Sequence, residues 1–340
     1  MTLPAIVSYA KEDQENFQRY IRAAFHEKYI LSDPRYFEWQ YGAGLFIAKD
    51  GERIIGHFGF RDIAYKIEDR VMPVRVLMNF FVNEAYRLTG VGALLAQKVF
   101  DTKNPILVSG YTPVAQKLFS HLRGEWNNAG VLKRWVAVLD KNVLLLKDYA
   151  IPRMAVKGAV KGDVVVSREI PSSSFITQCW NEAKSRFSVT VERSPEYIHW
   201  RFVSHPFFSY IYLTAQQNGV PKGFIIGRIE ESEGFRIARI IDMIAAQSVE
   251  LSLLQEFLTV AQQEHASVVD FLLSGSVYNE GLAAAGFFDG TGTDFERFPI
   301  LFSPLSFKKV SINIGYDINV LFDDCFMTKA DGDQDRPNPH

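Results

Sequence analysis

The same aromatic pattern occurs twice in the chain. Residues 33–41 read Asp-Pro-Arg-Tyr-Phe-Glu-Trp-Gln-Tyr, and residues 194–202 read Ser-Pro-Glu-Tyr-Ile-His-Trp-Arg-Phe. Each copy begins with a residue that caps helices, continues with proline at the first helical position, and carries a tyrosine, a tryptophan and a final aromatic residue. A repeat constrains the fold strongly, because both copies are expected to form the same local structure.

The elements that follow each copy also agree in order. Both continue with a hairpin, closed by Asp50-Gly51 or by Asn218-Gly219, and then with a buried strand, a helix and a short apolar strand. We expect the hairpins at 45–49 with 53–60 and at 211–216 with 222–229, the buried strands at 75–82 and 236–244, the helices at 90–100 and 249–264, and the short strands at 106–109 and 268–273.

This order predicts an α/β (α+β) protein of two tandem domains with mixed, mostly antiparallel sheets. The alternative is a coincidence between two generic α/β segments. We place the domains at 1–150 and 151–340 and expect the join within 150–190, where Pro152, Gly158, Gly162 and Pro171 break the periodicity. From about residue 328 the chain is polar and contains proline, so this tail is expected to be flexible on its own.

Composition narrows the range of partners. Of the 340 residues, 47% are hydrophobic and 14% aromatic, which suffices for two buried cores, and the net charge of -2 predicts neither a nucleic-acid surface nor a basic membrane patch. The two cysteines, Cys179 and Cys325, do not form a metal-binding or disulfide pattern. With neither a signal segment nor a long apolar run, we expect a cytoplasmic monomer or homodimer without a metal.

The sharpest local signal is a turn between a strand and a helix. The strand at 76–82 leads into Arg87-Leu88-Thr89-Gly90-Val91-Gly92-Ala93, and an amphipathic helix follows. Glycine lets the backbone approach a ligand closely, and the free amides of a helix N-terminus attract anions such as a pyrophosphate. The segment lacks the Lys-Ser/Thr of a P-loop and the third glycine of a dinucleotide fingerprint.

These residues resemble the signature Gln/Arg-x-x-Gly-x-Gly/Ala of the GCN5-related N-acetyltransferase (GNAT) superfamily, with Arg87, Gly90 and Gly92 at the matching positions. The resemblance implies an acyl-coenzyme A site at this turn. The matching segment of the second half, 245–250, has no glycine, so a degenerate second domain and one CoA site are expected. The residues assigned to the cofactor are Phe81, Val82, Arg87, Leu88, Thr89, Gly90, Val91, Gly92 and Ala93.

The resemblance also implies a mechanism. The pantetheine would lie between the fourth and fifth strands, near 79–83 and 108–111, where strand amides polarise the thioester carbonyl and an amine attacks directly. Phe119 occupies the position of the tyrosine that often serves as the acid in the family, with Tyr111 and His121 as substitutes by position. The candidates for catalysis are Asn79, Asn83, Glu84, Tyr111 and Asp242. Glu84, Asp242 and His57 are the candidates for the base, and each of these three also has a purely structural interpretation.

The acceptor is the least constrained part of the prediction. The tandem arrangement looks like bacterial N-acyltransferases of dTDP-linked 3-amino-3,6-dideoxyhexoses, which act in surface polysaccharide synthesis. This implies an acetyl or 3-hydroxybutanoyl donor, a nucleotide-linked amino sugar as partner, and a tail that folds over it. A non-catalytic acyl-CoA sensor and an aminoacyl-tRNA-dependent transferase are the alternatives. The candidates for acceptor binding are His57, Arg201, Arg239, Asp335 and Arg336.

Overall fold

The computed structural model describes residues 4–27, 29–142, 146, 148–152, 163–300, 307 and 309–337. Its strands are β1 (Ala5–Ser8), β2 (Leu45–Asp50), β3 (Arg53–Ile67), β4 (Arg70–Val82), β5 (Ile106–Ser109), β6 (Asn127–Val131), β7 (Lys133–Val138), β8 (Val164–Ser167), β9 (Val189–Val191), β10 (Ile211–Gln217), β11 (Val220–Ser232), β12 (Phe235–Ala245), β13 (Val268–Leu273), β14 (Phe288–Asp289) and β15 (Asn313–Tyr316). Its α-helices are α1 (Gln14–Ala24), α2 (Pro34–Tyr41), α3 (Val91–Phe100), α4 (Pro113–Leu122), α5 (Ser173–Ala183), α6 (Pro195–Ile198), α7 (Glu250–Gln263) and α8 (Asn279–Ala284).

Two mixed sheets form the framework, which confirms the predicted fold class. The first has eight strands in the order β1-β2-β3-β4-β5-β15-β6, with β9 paired to β3, and the second has seven in the order β14-β7-β13-β12-β11-β10-β8. In each sheet a helix, α3 or α7, follows the long central strand, and the chain then enters a parallel neighbour, β5 or β13. The predicted hairpins, helices and strands are all present, although β3, β4 and β11 extend further than predicted.

The two aromatic segments pack against each other. The indole Nε1 of Trp39 donates to the carbonyl of Trp200 at 2.7 Å, and the indole Nε1 of Trp200 donates to the carbonyl of Trp39 at 2.9 Å. The two rings stack with centroids 5.5 Å apart. The repeated tryptophans are therefore packing residues, as expected, and they join one copy of the repeat to the other.

The sheets exchange strands across the expected domain boundary. β7, which precedes residue 150, pairs with β13 in the second sheet, while β9 and β15 come from the second half of the chain and pair in the first. The 150–190 stretch contains β8 and α5, and residues 153–162, with Gly158 and Gly162, lie outside the described part, so the place of the join stays a prediction. The boundary at residue 150 itself stays a prediction.

The C-terminal tail packs between the two halves, which corrects the expectation that it is flexible. Phe326 N–H donates to the carbonyl of Val189 in the first sheet at 2.8 Å, and Ser274 N–H donates to the carbonyl of Met327 at 2.9 Å beside the second sheet. Asp331, Asp333 and Asp335 are each at most 5% exposed. The sequence shows the polarity of the tail but not the buried arginines that neutralise it.

Arg193 is the main anchor of this tail. Its guanidinium is fully buried and pairs with both carboxylate oxygens of Asp242 at 3.1 Å and with Asp331 at 2.9 Å. Asp242 lies on β12 and Asp331 in the tail, so one side chain joins the second sheet to the C-terminal segment.

Within the described part of the chain, no helix is long and apolar enough to cross a bilayer.

Removal of this anchor should cost much of the stability. Arg193→Met would leave two buried carboxylates without their cation, and we expect the free energy of unfolding in urea to fall by about 3–5 kcal/mol. Arg22→Met, at an exposed ion pair with Glu27, is the control and should change it little. Equal effects of the two substitutions would show that the buried network does not hold the tail.

Candidate functional site

A gap opens between β4 and β5. Their parallel pairing runs from Arg75–Ile106 to Leu77–Val108 and then ends. On the other edge of β4, Phe80 pairs with Phe58 and Met78 with Gly59, so Asn79 is an extra residue in a β-bulge, with φ of 46°. A bulge bends its strand, and here the bend coincides with the point where β4 leaves β5.

The gap holds a cavity of about 240 Å³. Residues from both strands, from α4 and from the C-terminal tail line it together: Phe58, Leu77, Met78, Asn79, Phe80, Val108, Ser109, Gly110, Tyr111, Thr112, Ala115, Phe119, Asp333, Gln334 and Arg336. The predicted residues Asn79, Tyr111 and Arg336 therefore meet at one place. Gln334 and Ser109 were not singled out in the sequence, because a glutamine in a polar tail and a serine at a strand end carry no signal alone.

The predicted anion turn lies at the end of β4. Gly90 adopts φ of +85°, and the space around its Cα is open enough that an added Cβ would meet nothing within 4 Å. The first helical bond of α3 runs from Leu94 N–H to the Gly90 carbonyl at 3.1 Å. The amides of Val91, Gly92 and Ala93 precede that bond and are left without a partner inside the helix. Such amides can bind a phosphate.

The other predicted residues near the turn have local partners. Asn83 caps the 3-10 turn Glu84–Tyr86, where its side chain accepts from Ala85 N–H at 3.2 Å. The Glu84 carboxylate is exposed and lies 3.9 Å from the Arg87 guanidinium, which also lies above the Phe81 ring. Leu88 and Thr89 are exposed and Val82 is buried. Neither Asn83 nor Glu84 lines the cavity.

Tyr111 follows the end of β5 by two residues. Its side chain lines the cavity, donates to Asn128 Oδ1 at 2.8 Å, and has its pKa raised by burial. Phe119 is buried and lies against Tyr111, with ring centroids 6.3 Å apart. A neutral phenol can donate a proton to a leaving group, and the predicted role of Tyr111 as the acid stays a prediction. His121 is exposed and lies outside the cavity lining.

Four predicted residues of the second half lie in buried ion networks. Asp242 is held by Arg193, as described above. Arg201 donates to the carbonyls of Ala330 at 2.8 Å and Asp335 at 3.2 Å. Arg239 pairs with Glu230 and with Asp270. Although burial alone would raise the pKa of Asp335, Arg228 at 2.8 Å and Arg201 hold it well below its usual range. Arg201 and Asp335 hold the tail directly, Asp242 holds it through Arg193, and Arg239 joins strands of the second sheet. None of the four lines the cavity.

The tail reaches the gap through two side chains. Gln334 Nε2 donates to the carbonyl of Ser109 on β5 at 3.1 Å, and Arg336 Nη1 donates to Asn79 Oδ1 on β4 at 3.0 Å. The Ser109 hydroxyl is buried and has no hydrogen-bond partner among the described residues. The C-terminal segment therefore closes one side of the cavity, a contact that no local sequence pattern predicts.

His57 lies away from this cavity. It is fully buried on β3, where its Nδ1 and the Tyr20 hydroxyl are 3.1 Å apart and the rings of Phe17 and Phe81 pack around it. Burial lowers the pKa of His57 to about 3. The imidazole is therefore neutral in the folded protein at neutral pH.

This shift predicts a dependence of stability on pH. His57 takes a proton near pH 6.5 in the unfolded chain but only near pH 3 in the folded protein. Its contribution to the free energy of unfolding is therefore complete above pH 6.5 and is lost as pH falls towards 3. Thermal unfolding should therefore show a smaller loss of stability between pH 7 and pH 4 in His57→Gln than in the wild type. His121→Gln, at an exposed histidine, should lose as much stability as the wild type over this range. The same loss in His57→Gln as in the wild type would contradict a lowered pKa of His57.

Residues 13–103 match the acetyltransferase (GNAT) family, and this range contains β2 to β4, the turn and α3. No curated protein sequence matches the chain.

Solved structures share the fold over most of the chain. A GCN5-related N-acetyltransferase from Anabaena variabilis ATCC 29413 is 12% identical with a TM-score of 0.61, and covers 92% of this chain and 72% of its own. A conserved protein of unknown function from Enterococcus faecalis V583, described as "Probable N-Acyltransferase", is 12% identical with a TM-score of 0.63. The match covers 95% of this chain and 73% of the Enterococcus chain. A GCN5-related N-acetyltransferase from Kribbella flavida is 13% identical with a TM-score of 0.53, and covers 92% and 70%. Residues 13–103 are therefore similar to acetyltransferases of the GNAT family, and these solved structures share the fold over most of the chain.

Proposed function

We propose that this protein transfers an acetyl or 3-hydroxybutanoyl group from acyl-CoA to the amino group of a dTDP-linked 3-amino-3,6-dideoxyhexose, for surface polysaccharide synthesis. The observation that carries the proposal is the Gly90 turn that opens α3: a Cβ added to Gly92 in this turn would lie 3.4 Å from the Phe80 ring, and Phe80 lines the cavity between β4 and β5. A pyrophosphate on the amides of this turn would direct the pantetheine into the gap and the thioester towards the cavity.

The edge of β4 would polarise the thioester. Beyond Leu77 this edge has no strand partner among the residues that the structure describes, because the ladder to β5 has ended. Amides that face a gap in fixed positions stabilise the negative charge on a carbonyl oxygen during attack, at no cost of reorganisation. Asn79 and Tyr111 line the same cavity and would flank the reacting carbon. Tyr111 is the proposed acid for the departing thiolate.

The acceptor would enter from the side of the tail. Phe25 and Tyr29 stack with centroids 4.2 Å apart, Phe81 lies 4.7 Å from Phe25, and the Arg336 guanidinium lies 6.0 Å from the Tyr29 ring. Phe25 is 36% exposed. An exposed aromatic ring beside a cation suits a base that carries phosphates, since the base stacks and the phosphates pair with arginine. This supports a nucleotide-linked acceptor.

The predicted acceptor residues divide into two groups in this proposal. Arg336 would contact the acceptor directly, since it lines the cavity. Arg201 and Asp335 would act indirectly, because their buried bonds hold the tail in place. Arg239 would stabilise the second sheet through Glu230 and Asp270. His57 would support β3 from inside the core.

A thiol-release assay tests the reaction. Acetyl-CoA and 3-hydroxybutanoyl-CoA are each offered with a panel of dTDP-linked amino sugars, and free thiol and acylated product are measured together. We expect product only from acceptors with a free amino group and at least a tenfold preference for a 3-amino-3,6-dideoxyhexose. Binding of CoA without thiol release from any acceptor would favour a non-catalytic acyl-CoA sensor instead.

A glycine substitution tests the turn. Gly90→Asp would place a negative charge beside the pyrophosphate, so we expect CoA binding, measured by calorimetry, to weaken by at least 100-fold. Gly219→Asp is a matched control, because Gly219 also has a positive φ, of +77°, and open space around its Cα, in a turn of the second half. Unchanged CoA affinity in Gly90→Asp would remove the basis of the proposal, and equal loss in Gly219→Asp would point to unfolding.

A further inference from the structure

We propose that Asp333, in the C-terminal tail, is the carboxylate that binds and deprotonates the acceptor amine. This inference rests on the proposed function and adds a residue to its mechanism. Among the described residues that line the cavity, Asp333 is the one with a carboxylate. It is 5% exposed, so water has little access to the charge. A primary amine is mostly protonated at neutral pH, and its lone pair must be freed before it can attack a thioester.

Both strands of the gap fix the position of Asp333. One carboxylate oxygen accepts from Gln334 Nε2 at 2.9 Å, and the other lies 3.4 Å from Arg336 Nη1. Gln334 is bonded in turn to Ser109 on β5, and Arg336 to Asn79 on β4. The carboxylate is therefore held where the two strands diverge, on the side from which the acceptor would approach.

Close packing leaves the tail little freedom here. A Cβ added to Gly332 would lie 2.3 Å from the Ser109 hydroxyl, and one added to Gly110 would lie 2.5 Å from the Gln334 amide. Contacts of this kind hold a carboxylate in one place before substrate binds, which is what general base catalysis requires.

Other carboxylates near the gap or in the matching strand are less suitable. Glu84 is exposed, faces Arg87 and lies outside the cavity. Asp242 lies outside the cavity lining and is fully buried against Arg193. Asp335 is fully buried against Arg228 and the Tyr210 hydroxyl.

The ammonium of the acceptor donates one proton to the Asp333 carboxylate, and the freed lone pair forms the C–N bond at the thioester carbon. Collapse of the tetrahedral species breaks the C–S bond and expels the thiolate. Tyr111 gives its phenolic proton to the thiolate and takes the second proton of the amine in return. Asp333 then returns its proton to solvent. The products are the amide and CoA as a free thiol, and no other reactant is consumed.

The pH dependence of Asp333→Asn tests this assignment. At pH 7 we expect kcat/KM for acyl transfer to fall by about 100-fold to 10,000-fold. The loss should shrink as pH rises above the pKa of the acceptor amine, because a free amine needs no base. Asp333→Glu should recover part of the rate. CoA affinity should be unchanged in both variants, since the carboxylate lies apart from the turn that would hold the pyrophosphate.

The controls separate the possible failures. Asp323→Asn changes an exposed aspartate in the same C-terminal segment and should behave as the wild type. If the wild type releases no thiol with any amine, the proposed function fails and this assignment with it. If the wild type is active and Asp333→Asn matches it, or loses the same fraction of its rate at every pH while it still binds CoA, only the role of Asp333 is overturned.

Discussion

The buried guanidinium of Arg193 holds the C-terminal segment against the rest of the protein. Two carboxylates, Asp242 and Asp331, share this one cation in the core. Neither acid would be tolerated there alone, because an unpaired buried charge costs several kcal/mol. The position of Asp331 in turn determines where Asp333, Gln334 and Arg336 lie. The cavity between β4 and β5 thus depends on an ion network in which one carboxylate, Asp242, lies on the other sheet.

The two copies of the fold use their central gaps differently. Both long strands carry a bulge, at Asn79 in β4 and at Ile241 in β12. Both also pair with their parallel neighbour, β5 or β13, over only a few residues before the two strands separate. Beside the first gap, Gly90 provides an open anion turn. Beside the second, Thr328 pairs with Leu273 and Asp331 binds the Asp242–Arg193 pair, so residues of the tail occupy that region. One segment thus fills one gap and forms a wall of the other.

The sequence predicts the local structure well and the long-range contacts poorly. Turn residues such as Asp50-Gly51, the spacing of aromatic residues and the glycines at 90 and 92 act over a few positions, so their effect can be read directly from the sequence. The strand exchange of β7 and β15 and the burial of the tail depend on residues far apart in the chain. Asp333 shows the difference clearly, because an aspartate in a polar segment is typical of a solvated tail until Arg336, Gln334 and Asn79 are placed around it.

The reciprocal hydrogen bonds between Trp39 and Trp200 have a consequence for how such a chain can change. Each indole bonds the backbone of the other, which is the pattern of an isologous contact between two identical subunits. In a symmetric dimer every substitution would appear on both sides of the interface. Once both partners are in a single polypeptide, each side accumulates substitutions independently. The proposed anion turn can then be kept in one half. The other half is free to become a support for the C-terminal tail, which closes one side of the cavity.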